Sequence, residues 1–348
     1  MDAQQHIPQP QATPRVMRET KNKIRVEFDR APLMQRLKAK FLSTFFLQQV
    51  VWYIFRLILL IGISFVILFP FFAKITGSFM AMEDFVDVTV RMIPKHWTLA
   101  TYKAIIVEKN YVEAFFNTAF LSLTCAAIQT LICCVIGYGL AKFRFRGNKL
   151  VMILVVLTMI IPHRTLQLSL YNQFKYFDIW GIFNLLFHNT IDMTNTYWPM
   201  ILLSVTGLAF KNGLFIFMMR QFFTGVPDEL EESAYVDGSG VYRTFVQIIL
   251  PLSIPMMITI FLLSFSWQWT DNFYTTNQLF FTSSKTVLMP NITKGIPRSL
   301  QTTFPGKALF ESAVTNTATL LVMAPLVVMY LFCQRYLIQG IERSGIVG

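Results

Sequence analysis

Gly225-Val226-Pro227-Asp228-Glu229-Leu230-Glu231-Glu232-Ser233-Ala234-Tyr235-Val236-Asp237-Gly238-Ser239-Gly240-Val241-Tyr242-Arg243-Thr244-Phe245-Val246-Gln247-Ile248-Ile249-Leu250-Pro251 is the stretch on which the reading of this chain turns. It is a polar, acid-rich interval between two strongly apolar runs. Pro227 suits the first turn of a helix, where its missing N–H is no loss, and the acids behind it sit where the helix dipole favours negative charge. Asp237-Gly238 supplies a stop, because glycine tolerates the left-handed conformation that commonly closes a helix, and Ser239 is placed to cap a second helix. Two short helices joined by a sharp turn are therefore expected. Leu230 and Ala234 share a face of the first, Tyr242, Phe245 and Ile249 share a face of the second, and Pro251 opens the next apolar run.

Working outward, the apolar runs are long enough to cross a bilayer. The chain has 348 residues, 54% hydrophobic and 14% charged, and its mean hydropathy is +0.50, far from the balance of a soluble domain. Six spans of roughly 20 largely apolar residues are expected near 51–76, 113–141, 150–170, 198–222, 251–273 and 313–337. The fold class that follows is all-α polytopic, with the two-helix loop at 225–250. Basic residues set the orientation. They crowd before residue 50, in the short loop carrying Lys142, Arg144, Arg146 and Lys149, and at Arg335 and Arg343. Those segments, with both termini, are expected on the cytoplasmic side. The loop from 77 to 112 balances Arg91, Lys95, Lys103 and Lys109 against Glu83, Asp84, Asp87 and Glu108, which fits the opposite side.

Residues 1–50 divide into a polar tail without period and, from Ala31 to Val50, an apolar spacing (Met34, Leu37, Phe41, Phe45) that suits either a helix lying on membrane lipid or the root of the first span. The long polar start argues against a cleavable signal peptide ahead of that span. Residues 338–348 are expected as a cytoplasmic tail.

Composition excludes several classes. A net charge of +11 invites a nucleic-acid reading, but the cations lie beside apolar runs and not over a hydrated face, so no nucleic-acid partner is expected. Cys125, Cys133, Cys134 and Cys333 sit inside apolar stretches and read as small hydrophobes. His6, His96, His163 and His188 are scattered singly, so no metal site and no cofactor is expected. The spans lack an embedded carboxylate relay of the kind a proton-coupled carrier needs, Asp271 at a span boundary being the nearest candidate. No pairing of nucleophile and base supports a membrane enzyme.

The acidity of the 225–250 segment needs a cause of its own. An interfacial helix resting on headgroups is one reading, but clustered acids sit badly against an anionic leaflet. A protein partner accounts for them better: Ser233 and Ala234 allow close approach, and Glu231 and Glu232 offer polar handles. Glu232-Ser233-Ala234, Gly238, and then Leu250-Pro251 resemble the EAA loop of the permease subunits of type I ABC importers, and the string from Pro227 to Ser239 is similar to that of the carbohydrate-uptake, maltose-type branch. Asn117, the run Gly137 to Gly147, Ile161-Pro162, Arg220-Gln221-Phe222-Phe223 and Gln334 to Gly340 carry the resemblance over most of the chain. Ser233 departs from the usual Ala, a small-for-small change.

The resemblance implies a complex of two permease subunits, two ABC ATPase subunits and an extracytoplasmic solute-binding protein, in a bacterial cell (inner) membrane, moving a sugar or oligosaccharide by alternating access. It implies ATPase coupling through Glu231, Glu232, Ser233, Ala234, Asp237, Gly238, Leu250 and Pro251. ATP hydrolysis belongs to a separate chain, because no G-x-x-x-x-G-K-[ST] occurs here. A permease of the same fold for a non-sugar solute is the first alternative, a proton-coupled secondary transporter the second.

Two groups are candidates for the substrate pathway. His163 and Arg164 follow Pro162 near the outer end of the third expected span. There a cation is costly unless it meets water or a partner, and it reads either as a contact to an acidic sugar such as a uronate or as an interfacial anchor. Trp267, Trp269, Asp271, Asn272 and Tyr274, with Phe273, mix flat rings and hydrogen-bonding groups in the manner of a sugar site, or of an aromatic belt. The stretch from Asn189 to Trp198 has no reading at this level. Pro325 predicts a kink in the last span.

Overall fold

A computed structural model describes residues 15–19, 25–29, 44–179, 181–275, 279–281, 286–301, 303 and 306–343. Most of the expected surface helix from Ala31, and the end of the expected tail from 344 to 348, lie outside the described residues. The chain forms two units, residues 1–72 and 73–348.

In the first unit, strands β1 (Arg15–Glu19) and β2 (Arg25–Asp29) pair antiparallel. The polar tail was expected to lack structure. The register sets Arg15 across from Asp29 and Glu19 across from Arg25. Helix α1 (Thr44–Gly77) follows, apolar around its whole circumference, as a lipid-embedded helix is.

The second unit is helical, with α2 (Ala100–Glu108), α3 (Tyr111–Lys142), α4 (Asn148–Ile160), α5 (Gln167–Lys175), α6 (Ile182–Phe187), α7 (Trp198–Val205), α8 (Asn212–Thr224), α9 (Glu229–Val236), α10 (Val241–Thr244), α11 (Leu250–Trp269), α12 (Met289–Ile292) and α13 (Lys307–Arg343). Among the described residues, four helices are long and apolar enough to cross a membrane, at Gln48–Gly77, Tyr111–Lys142, Val241–Trp269 and Lys307–Leu337. Asn148–Ile160 with His163–Lys175 makes a fifth if the bent pair counts as one span.

The expected third and fourth spans are both broken. Pro162 forces Ile161 into extended backbone (ψ 121°), which ends α4, and the chain turns by 93°. The expected 198–222 run splits into α7 and α8 because Gly207 and Lys211 both take positive φ, 74° and 69°. Periodicity does not show such breaks, since hydropathy runs straight through them.

α3 is the central post. It packs against α7, α8, α11 and α12. Gln129 ties three of these together: its Nε2 donates to the Ser204 hydroxyl of α7 (3.1 Å), and its Oε1 accepts from Ser264 of α11 (2.7 Å), all three side chains being buried. Pro325 lies inside α13, where its missing N–H frees the Leu321 carbonyl four residues earlier. Tyr111 donates its hydroxyl to that carbonyl (3.0 Å), and Trp269 donates its indole N–H to the adjacent Val322 carbonyl (2.9 Å).

α8 lies between α3 and α4, and glycines set both approaches. A Cβ on Gly137 of α3 falls 2.5 Å from the Met219 Cβ, and one on Gly213 of α8 falls 2.5 Å from the Thr158 hydroxyl of α4. Small residues are how helices pack backbone to backbone in lipid. Gly139, two residues from Gly137, meets nothing within 4 Å. Gly137→Ala is expected to push α3 off α8 and destabilise the folded subunit by about 1–3 kcal/mol. Gly139→Ala, relieved only of glycine's helix penalty, is expected to be neutral or more stable by up to about 1 kcal/mol. Melting of the two purified variants checks this; equal melting would show that the crossing does not need the glycine.

Candidate functional site

The 225–251 segment forms an elbow whose two arms differ from the sequence expectation in three respects. α9 begins at Glu229, with Asp228 rather than a residue before Pro227 in the capping position. Its end is a Schellman turn: Ser239 N–H reaches the Ala234 carbonyl (2.9 Å), Gly238 N–H reaches Tyr235 (3.0 Å), and Gly238 takes φ 79°. Ser239 is thus used to close the first helix, and Gly240, without a side-chain cap, precedes the second. The second arm does not stop at Pro251. It runs through a π turn, Phe245–Ile249, into α11, so Val241–Trp269 is one continuous span. Pro251 and Pro255 supply no N–H, and the wider turn just before them absorbs the misfit.

The faces also differ. On α9 the buried side chains are Glu231 and Ala234, whereas Leu230 is 39% exposed; on the second arm Thr244 and Ile249 are buried and Tyr242 is 88% exposed. What holds the elbow is the end of α3. The Lys142 ammonium donates to the Val226 carbonyl (2.6 Å) and pairs with the Asp228 carboxylate (2.5 Å). One turn earlier, the Tyr138 ring lies 4.7 Å from Phe245 and 5.5 Å from Phe223. Lys142 holds the Asp228 carboxyl below its ordinary range. Burial pushes the Glu231 carboxyl above its ordinary range, and Lys142 offsets only part of this.

Inward contacts thus use Asp228, Glu231 and Ala234. Glu232, Ser233 and Asp237 remain exposed, in a tip that also exposes Val236 (87%) and Tyr242. Leu250 and Pro251, by contrast, lie along the span, with Leu250 packed into the core beneath the elbow.

The residues expected along a pathway are brought together only in part. Trp269 and Tyr274 are fully buried, Trp269 against Phe115 and Phe265 and Tyr274 stacked on Phe280. The Asp271 carboxylate caps a turn, accepting the N–H groups of Phe273, Tyr274 and Thr275. Asn272 is exposed. Trp267 is half-buried, stacked at 5.6 Å on Phe215. His163 is half-buried with its ring 4.6 Å from Phe210, and Arg164 is exposed beside Tyr171.

Sequence reading passed over Lys211. Its ammonium lies 4.7 Å from the Phe210 ring and 5.3 Å from the Trp267 ring, in a cleft it shares with His163. The signal was present: a single cation inside an apolar run, four residues after a glycine. The stretch after Asn189 also gains an account. Ile191 pairs with Phe177, Met193 N–H reaches the Phe174 carbonyl, and Asp192 pairs with Lys175, so it is stitched onto the core around Phe174 and Phe280.

Residues 134–343, more than half of the chain, match the family model described as binding-protein-dependent transport system inner membrane component. Over 300 residues the chain is 27% identical to the galactooligosaccharides transport system permease protein GanQ of Bacillus subtilis, covering 85% of this chain and 95% of that one. It is 26% identical over 290 residues to the arabinooligosaccharides transport system permease protein AraQ of Halalkalibacterium halodurans, covering 82% and 93%. Its fold resembles, with a TM-score of 0.61, 17% identity and coverage of 83% and 97%, a chain in the crystal structure of a bacterial ABC transporter involved in the import of the acidic polysaccharide alginate. A helical bundle of long apolar spans, an elbow anchored at one end of its central post and this match over the bundle together establish that the chain belongs to the family of binding-protein-dependent transport system inner membrane components.

Proposed function

We infer that this chain is the permease subunit of an ATP-driven carbohydrate importer, that its elbow is the contact through which an ATPase subunit moves it, and that its spans form half of the pathway. Family membership makes it a transport subunit and not an enzyme. Relatives named for galactooligosaccharide and arabinooligosaccharide transport support a sugar or oligosaccharide as the solute.

The observation that carries the coupling role is the division of labour on α9. Its inner face is fastened to α3 by Lys142, while its outer face leaves acids, a serine and two large apolar side chains uncovered. A helix fixed on one side and uncovered on the other fits a docking element. The acids on the outer face suit a basic groove. Six spans fit the structure if α4 with the following turn is the third and α7 with α8 is the fourth, each interrupted. The proposed assembly pairs this chain with a second permease, two ABC ATPase subunits and an extracytoplasmic solute-binding protein in a bacterial cell membrane. Both termini and the elbow then face the cytoplasm.

Two experiments test this reading. Replacing Val236 with Asp and Glu232 with Lys, which alters only the uncovered face, is expected to cut ATPase co-purification and uptake at least about tenfold, as truncation of a central interface contact does. Undiminished uptake would remove the coupling role. On the inner face, Asp228→Asn is expected to change little, because the Asp228 side chain is 70% exposed and an ion pair hydrated on that side contributes about 0–1 kcal/mol, while the buried Lys142 keeps the Val226 carbonyl. Lys142→Met is expected to lower the solute moved per ATP hydrolysed, since it strips both the Val226 carbonyl and the buried Glu231 of their cation. Because Asp228 titrates below the usual carboxylate range, its pair with Lys142 persists at neutral pH and is lost only as pH falls through that lowered pKa.

A further inference from the structure

The two broken spans meet, and a cation stands at their meeting point. α4 and α8 each hold 13 residues, about 20 Å of helix at 1.5 Å per residue. α4 rises from the loop that follows Lys142, and α8 descends to the elbow, so both breaks lie at one level, about two thirds of the way across a core of about 30 Å. Trp267, 17 residues into α11, reaches nearly the same level. The contacts agree: His163, from the first break, lies edge-on to Phe210, from the second, and nearer to it than to Phe273, which it meets at 6.5 Å.

Lys211 is the centre of this arrangement. A lysine at such depth is expensive unless it meets a partner or water. Among the described residues no carboxylate pairs with it, and its ammonium rests over two aromatic faces instead. It is exposed to a cleft of about 140 Å³ lined by His163, Gly207, Phe210 and Gly213. Arg164 opens onto a neighbouring groove of about 450 Å³ with Tyr171 and Gln167. Flat rings suit the apolar face of a pyranose, and an uncompensated ammonium beside them suits a carboxylate on that same ring. A neutral sugar gives such a cation nothing to pair with.

We propose that the cleft at the junction of the two broken spans is a pathway subsite for acidic carbohydrate, with the Lys211 ammonium receiving a uronate carboxylate while Phe210 and Trp267 hold the ring. This deepens, and rests on, the reading of the chain as a carbohydrate permease.

The test uses the whole transporter in proteoliposomes with its ATPase and binding protein, and two probes, a trigalacturonide and the trigalactoside obtained by reducing its carboxyl groups. For the unaltered transporter the trigalacturonide is expected to be carried. Lys211→Met is expected to lower the ratio of trigalacturonide to trigalactoside uptake about tenfold, the worth of one charge-assisted hydrogen bond, and Lys211→Arg to restore most of it. As an independent readout, Leu208→Cys, which lines the same cleft and keeps the Lys211 ammonium, is expected to react with an anionic methanethiosulfonate and to be protected by the trigalacturonide far more than by the trigalactoside. A ratio left unchanged by Lys211→Met, equal protection by both probes, or carriage of the trigalactoside alone overturns the subsite and leaves the permease reading standing. ATP-dependent uptake of a non-carbohydrate solute, with neither trisaccharide carried, overturns the permease reading itself.

Discussion

The approach of α8 to its neighbours is the constraint on which the rest depends. Gly137 lets α3 close on Met219, and Gly213 lets α8 close on α4. α8 is thus held on two sides at backbone distance. Its lower end joins the elbow, and its upper end carries Lys211. α8 is a single 13-residue helix, so one element joins the elbow to the cleft.

Breaking a span inside lipid is costly unless each freed backbone group finds a partner, and the fold meets that demand with side chains from other helices. Tyr111 and Trp269 take the carbonyls exposed by Pro325. Between α1 and α2, the Asp84 carboxylate meets the His96 ring Nδ1 (2.8 Å) and accepts the backbone N–H groups of Lys95 and His96 (both 3.1 Å). Burial raises its pKa, but those bonds outweigh it and hold the carboxyl below its ordinary value. Polar groups in this bundle are spent mainly on fixing backbone, which is why Trp269 and Asp271, rich in recognition chemistry on paper, have little of it left over.

What the sequence made legible follows from this. The long uninterrupted spans, the elbow's turn at Gly238 and the family resemblance were readable because each depends on local chemistry: apolar length, a left-handed glycine, a run of acids behind a proline. The interruptions were harder. Ile161-Pro162 carries a local break signal, yet hydropathy continues through it into 170, and Gly207 with Lys211 is outweighed by the apolar residues on both sides. The inner face of α9 was misjudged for a related reason. Helical spacing placed Leu230 with Ala234, but the face that turns inward is chosen by a tertiary partner, Lys142, which lies 89 positions before Glu231 in the chain. No window of local sequence contains that choice. The two strands near the start were missed because alternation in Arg15–Glu19 and Arg25–Asp29 is too short to register against a polar background.

Charge placement links the two ends of the molecule. At the elbow, Lys142 is matched: Asp228 pairs with it and Glu231 lies within its field, so the cation is a fastener and its charge is consumed inside the chain. At the junction of the broken spans, Lys211 has rings beneath it and, among the described residues, no paired carboxylate. The two lysines have the same chemistry and opposite bookkeeping. A matched cation stabilises a fixed contact, whereas an unmatched one rests on rings and water and stays open to an anion. A cation stranded inside an apolar run therefore marks where a passing solute is expected to supply the missing charge, and the helix breaks mark how the wall around it can open and close.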